Sequence, residues 1–123
     1  MKTTEIIHQL YPLLLEKYNQ VADVELGDFY GIPAIYIEGP GLSISFVEND
    51  SQFVGEIWIC MKGDAEQIPW NEGRIYRFKR GENVKICTYF YPTDVDGSLD
   101  LLADAERDLQ AWVLKLLCRE GGI

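Results

Sequence analysis

Histidine and cysteine are scarce in this chain: its 123 residues contain one histidine, His8, and three cysteines without a C-x-x-C pair. A structural zinc site needs four Cys or His ligands, which this composition does not supply. A catalytic histidine needs an orienting carboxylate and a nucleophile, and no motif such as G-x-S-x-G accompanies His8. We therefore predict no metal, no cofactor and no catalytic residues, and we interpret Cys60 and Cys87, which lie in apolar patterns, as buried free thiols.

Long hydrophobic runs are also missing. No segment approaches the roughly 20 apolar residues that a membrane-spanning helix requires, and the first residues lack the apolar core of a signal peptide. We therefore expect a cytoplasmic protein that does not act at a membrane. The length predicts a single domain over residues 1–123, and a hydrophobic content of 47% is sufficient for a folded core.

Positive charge is sparse and unevenly placed. Eleven Lys and Arg oppose twenty Asp and Glu, so the formal net charge is −9. Five of the cations lie between Arg74 and Lys85, where Glu82 is the only acid. The remainder of the chain is strongly acidic, and such a field attracts basic partners and repels nucleic acid and anionic membranes.

The hydrophobic periods predict an α+β fold that begins and ends with a helix. Apolar residues recur every three or four positions from Ile6 to Val21, which predicts an N-terminal helix. Pro12 interrupts this stripe, so we expect either a kink near it or a helix that starts there. A second apolar stripe, which Ser98 can cap, predicts a C-terminal helix that ends before Gly121.

Between the helices, alternating patterns predict a sheet of five to six mostly antiparallel strands. The segment from Arg74 to Lys85 is expected to form a hairpin that turns at residues 81–83. Residues 53–61 are apolar on both faces, which predicts a central strand covered on both sides. A run of strands between two helices indicates that the helices pack on the sheet.

The acidic residues of the C-terminal helix form the first candidate binding surface. Asp100, Asp104 and Asp108 recur every four positions, so they share one stripe, although like charges at this spacing destabilise a helix. The stripe is either a solvated outer face or a surface for a basic partner. Trp70 and Glu72 stand in a long irregular segment, where Trp70 either caps the core or anchors an interface.

Two other patterns have weaker functional interpretations. Aromatic residues alternate with cations in the Arg74–Lys85 segment, a mixture that can stack on single-stranded nucleic acid, but the overall charge opposes that function. The segment Asp94–Gly97 spaces two aspartates as in a calcium loop. Its first and twelfth positions would be Pro92 and Ala103, which lack the required carboxylates. We interpret it as the turn before the last helix.

In size, acidity and helix–sheet–helix order, the chain resembles two groups of proteins: immunity proteins that neutralise a toxin, and acidic chaperones of secretion systems. The resemblance implies a non-enzymatic module that masks a basic protein partner, and a homodimer is an open alternative. Another alternative is a ligand-binding protein or enzyme with a pocket between sheet and helices, lined by Phe29, Tyr36, Trp58 and Tyr89. A further alternative is an acidic mimic of nucleic acid that inhibits a DNA-binding enzyme.

Overall fold

The computed structural model describes residues 2–62, 71–72, 75–80 and 83–119, with side chains at residues 2–60 and 84–111. Within these ranges the chain forms two helices and seven strands: α1 Thr3–Tyr18, β1 Asp23–Phe29, β2 Ile32–Gly39, β3 Leu42–Asn49, β4 Gln52–Lys62, β5 Asn71–Glu72, β6 Ile75–Arg80, β7 Asn83–Phe90 and α2 Val95–Arg119. The predicted α+β fold, with helices packed on the sheet, is confirmed. The additional strand is the two-residue β5, which lies in the segment predicted to be irregular.

The strands form one antiparallel sheet in the order β1-β2-β3-β4-β7-β6-β5. Tight turns join the first four strands. The turn between β3 and β4 has both of its central residues, Asp50 and Ser51, at positive φ (51° and 65°). This is the backbone that a two-residue hairpin turn requires, but neither residue is glycine, so the turn is strained. The β6–β7 hairpin is confirmed by the pairing of Arg80 with Asn83, and residues 81–82 lie outside the described residues.

The hydrophobic core lies between the helices and one face of the sheet. Alternate strand residues point into it and meet the apolar stripes of α1 and α2. The largest fully buried side chains are Ile7, Leu10 and Leu14 of α1, Leu102 and Leu109 of α2, and Ile35, Ile37, Ile44, Phe46, Ile57 and Ile86 of the strands. Each such side chain contributes about 1.5–3 kcal/mol relative to exposure, so this single layer of contacts dominates stability.

Polar contacts fix both helices to their neighbours. Tyr18 of α1 donates a hydrogen bond to the carboxylate of Glu106 on α2, and Lys17 Nζ lies 3.6 Å from the same carboxylate. At the other end of α1, Thr3 Oγ1 donates to Glu48 Oε1 of β3 at 2.6 Å. Because these contacts join elements far apart in the sequence, they set the position of α1 against both α2 and the sheet.

The helix starts differ in detail from those predicted. α1 begins at Thr3 and contains Pro12, so a start at the proline is wrong. At α2, Asp94 is the capping residue, because its Oδ1 accepts a hydrogen bond from the Gly97 N–H at 2.6 Å. Ser98, the predicted cap, lies in the first turn and donates from its hydroxyl to the Asp94 carbonyl oxygen at 2.7 Å. Asp94 lies four residues before Ser98, at the position from which a side chain can cap the free N–H groups of the first turn.

β4 lies at the centre of the sheet, but the prediction that both its faces are covered is wrong. Ile57 and Phe53 are buried under the helices, whereas Val54, Glu56 and Trp58 on the other face are only half-buried. The reason is that both helices pack on the same side of the sheet.

Among the described residues, there is no helix whose length and apolar content would let it span a bilayer.

Candidate binding cleft on the open face of the sheet

One face of the sheet has no helix packed on it in the described part of the chain, and we call it the open face. Its central row consists of Tyr36 on β2, Ser45 on β3, Glu56 on β4 and Tyr89 on β7, which pair in succession across the strands. Their sequence neighbours point to the core, because side chains alternate between the two faces of a strand. The open face therefore combines aromatic rings with a carboxylate at the middle of the sheet.

A cleft of about 400 Å³ lies along this face. Its walls include the rings of Phe29, Tyr36, Tyr89 and Tyr91, and its acidic groups are Asp50 and Glu56. Small side chains form the floor between them: Ser45, Val47 and Val54. Since β2 and β7 are three strand spacings apart, roughly 14 Å, large rings on those strands and small residues between them leave a trough.

Glu56 is the principal polar group of the cleft. Its side chain is half-buried, its Oε1 accepts a hydrogen bond from the indole Nε1–H of Trp58, and burial raises its pKa above the ordinary value of 4.5. Within the described side chains, no lysine or arginine forms an ion pair with Glu56, and none lines the cleft. A carboxylate in this position favours an incoming cation.

The aromatic wall contributed by β1 and β2 is held by its neighbours. The Tyr36 hydroxyl donates to the backbone oxygen of Asp28 at 3.2 Å, and burial, followed by the negative charge of Asp28, raises the pKa of Tyr36. The Tyr36 ring lies close over Gly27, where an added Cβ would be 3.3 Å from ring atom Cε2. Phe29 makes an edge-to-face contact with Tyr30, with ring centroids 4.6 Å apart. The wall is therefore preformed.

The two described cysteines also lie on this face. Both are free thiols, but only Cys87 is buried, and the prediction of burial is wrong for Cys60, which is half-buried. Burial raises the pKa of Cys87 to about 11, although a hydrogen bond with Tyr89 lowers it in part. Cys87 is thus protonated at neutral pH, and a protonated thiol is a poor nucleophile.

The four aromatic residues expected around a ligand pocket, Phe29, Tyr36, Trp58 and Tyr89, all lie on the open face. Three of them line the cleft, and Trp58 borders a neighbouring cleft of about 200 Å³ that includes Lys85. The expected location was different, between sheet and helices, where the structure instead has buried apolar side chains. Glu56, Asp50 and Tyr91 were not identified from the sequence. The sequence signal that could have indicated this site is Glu56, a glutamate within the apolar run that forms β4.

The predicted partner-binding residues do not join this cleft. Asp100 and Asp104 are exposed on α2, and Asp104 accepts an ion-pair hydrogen bond from Arg107 at 2.7 Å. Asp108 is half-buried on the same helix. Glu72 belongs to β5, but its side chain lies outside the described residues, as does Trp70. Since α2 packs on the opposite side of the sheet, the stripe and the cleft are separate surfaces.

A wider cleft, of about 600 Å³, lies at the end of the sheet beside the start of α1. Its lining includes both Lys2 and Glu48, and Glu48 is already bonded to Thr3. This mixed charge makes it a weaker candidate for selective binding than the open-face cleft. Among the described residues, no group of three or more His, Cys, Asp or Glu side chains is placed to hold a metal ion.

Comparison of the chain with protein-family models, with curated protein sequences and with solved structures finds no match. The chemistry of the site is therefore inferred from its own residues: a preformed aromatic cleft with two carboxylates and no cation among its described lining residues.

Proposed function

We propose that the protein is a non-enzymatic binding module that masks a basic protein partner, and that the open face forms part of the docking surface. The observation that carries this proposal is the acidic, aromatic cleft on the sheet face that the helices leave uncovered. Aromatic residues are enriched at protein interfaces, and tyrosine is common among the few residues that supply most of the binding energy. The net charge of −9 favours a basic partner.

The acidic stripe of α2 and the open-face cleft would contribute differently to the kinetics of such a complex. Asp100 and Asp104 are exposed on α2, so they would act mainly at long range, by accelerating association. The cleft combines rings with the half-buried Glu56, so its contacts would be desolvated and would slow dissociation. Free thiols at Cys60 and Cys87 support a cytoplasmic location, where thiols stay reduced.

The test starts with a pull-down from the native host, followed by titrations of the retained protein at two ionic strengths. We expect a basic protein whose association with the Asp100→Asn/Asp104→Asn/Asp108→Asn variant is slower and less sensitive to salt. Glu56→Gln should instead raise the dissociation rate. An acidic partner, or unchanged kinetics in both variants, would contradict the proposal. The stripe variant should remain folded, because Asp100 and Asp104 are exposed and the loss of the surface ion pair between Asp104 and Arg107 costs at most about 1 kcal/mol.

A second candidate function is the binding of a small ligand. The volume of the cleft, about 400 Å³, is within the range of roughly 300–1,000 Å³ that is common for small-molecule sites. A ligand identified by mass spectrometry of the purified protein, with no protein partner retained, would favour this function over the first.

A further inference from the structure

The cleft on the open face has the chemistry of a cation site. Rings of Tyr36, Tyr89 and Tyr91 surround it, and the negative faces of aromatic rings attract cations. Asp50 and Glu56 add two carboxylates, and the described lining residues include no cation that would compete. The small floor residues leave the space between the walls open to an incoming side chain.

From this arrangement we propose that the cleft receives an arginine side chain of the partner, with its guanidinium against Glu56 and the ring of Tyr89, the cross-strand neighbour of Glu56. The inference rests on the proposed function, because the arginine belongs to the basic protein that the module masks. It extends that function by naming the residue type that is recognised and the site that recognises it.

Arginine fits this cleft better than lysine for two reasons. A guanidinium is planar, stacks on aromatic rings and is less strongly hydrated than an ammonium group, so it enters a half-buried site at lower cost. It also carries five N–H donors, and the lining offers several acceptors beside Glu56: Ser45, Asn49 and Gln52. The hydrogen bond from Trp58 is to Oε1 of Glu56, and no side chain in the described part of the chain donates to Oε2, which can therefore accept from the partner.

The neighbouring cleft suggests how the partner chain runs. Ser43 of β3 lines the smaller cleft, whereas Ser45 and Val47 of the same strand line the larger one. The two clefts therefore follow β3 along the open face. A partner segment lying along β3 would place one arginine over Ser45 and its next side chains toward Trp58.

The site can be tested without the partner. The probe is a blocked pentapeptide with arginine between alanines, and two matched peptides carry lysine or citrulline, which is shaped like arginine but uncharged. Titration of the full chain, followed by backbone amide signals of Ser45, Glu56 and Tyr89, should give saturable binding of the arginine peptide, with a dissociation constant in the millimolar range. The lysine peptide should bind more weakly, and the citrulline peptide should not saturate.

Two variants distinguish specific binding of the arginine peptide at the cleft from nonspecific electrostatic attraction to the acidic protein. Glu56→Gln keeps an acceptor for the Trp58 indole but removes the charge, and we expect it to weaken the arginine peptide by roughly tenfold. Glu25→Gln is the matched control: Glu25 pairs with Tyr36 in the same cross-strand row and is exposed, but it does not line the cleft. This control should change the affinity by less than about twofold.

Equal affinity for the three peptides, or equal effects of the two variants, would overturn the arginine site. If the peptide fails to bind but a basic protein is retained through the α2 stripe, the site is wrong and the proposed function stands. If the arginine peptide binds at the cleft but no basic protein is retained from the host, the site stands and the proposed function is wrong.

Discussion

Replacement of Gly55 by alanine tests how tightly the core packs against the sheet. Gly55 is on the core side of β4, opposite Phe90 of β7. A Cβ at this position would overlap the Phe90 ring: of the three nearest ring atoms, even the most distant, Cδ2, would be 2.8 Å away. Phe90 is only 3% exposed, and its ring meets Phe46 edge-to-face at 5.6 Å between centroids. The ring cannot turn aside without displacing that neighbour.

The expected loss follows from two opposing effects. Overpacking a core of this kind costs about 1–3 kcal/mol, whereas alanine gains roughly 0.5–1 kcal/mol over glycine in a strand. We therefore expect Gly55→Ala to lower the free energy of unfolding by about 1–2 kcal/mol, which corresponds to roughly 4–8 °C in Tm for a domain of this size. Urea unfolding followed by far-ultraviolet circular dichroism measures this loss.

A double-mutant cycle identifies the cause of the loss. Phe90→Leu removes the atoms nearest to the new methyl group, so the double variant should be less destabilised than the sum of the two single variants. Gly27→Ala is the matched control, because its Cβ would be 3.3 Å from the Tyr36 ring on an exposed edge strand, a contact that a shift of a few tenths of an ångström relieves. Strict additivity in the cycle, or an equal loss in the control, would refute the proposed overlap with Phe90.

Three further outcomes can be measured independently. Burial raises the pKa of Glu56 above its ordinary value of 4.5 in the folded protein. The free energy of unfolding of the wild type therefore falls as the pH rises from 4.5 through this raised pKa. The Glu56→Gln variant should therefore have a larger free energy of unfolding than the wild type at pH 7. Urea unfolding at pH 7 and at low pH measures the difference, and an equal difference at the two pH values would contradict the prediction. Tyr18→Phe should lower the free energy of unfolding by about 1 kcal/mol, because it removes the hydrogen bond between α1 and α2. In a double-mutant cycle with Glu106→Gln, the double variant should lose less than the sum of the two single variants. Additive losses would mean that this hydrogen bond contributes nothing. A thiol reagent at pH 8 should label half-buried Cys60 well before Cys87, which is buried with a pKa of about 11, and equal labelling rates by mass spectrometry would contradict the described burial.

The sequence by itself determined the elements and much of their packing. Apolar residues spaced by three and four positions placed Leu10 and Leu14 of α1, and Leu102 and Leu109 of α2, in the core, where all four are fully buried. Alternation predicted the strands, and local turn chemistry predicted the hairpin of β6 and β7. These features depend on residues that are close in sequence, so a local pattern contains the information. Val21 is the exception within the first stripe: it follows α1 and is 64% exposed.

Only the tertiary structure decided which face of the sheet the helices cover. The pattern of β4 is apolar on both sides, and this does not distinguish a strand between two layers from one with an aromatic open face. The same holds for the cleft, because its row of Tyr36, Ser45, Glu56 and Tyr89 is assembled by the pairing of four strands from distant parts of the chain. Strand order and helix placement are non-local choices, set by the burial of all the apolar stripes together, and no local period specifies them.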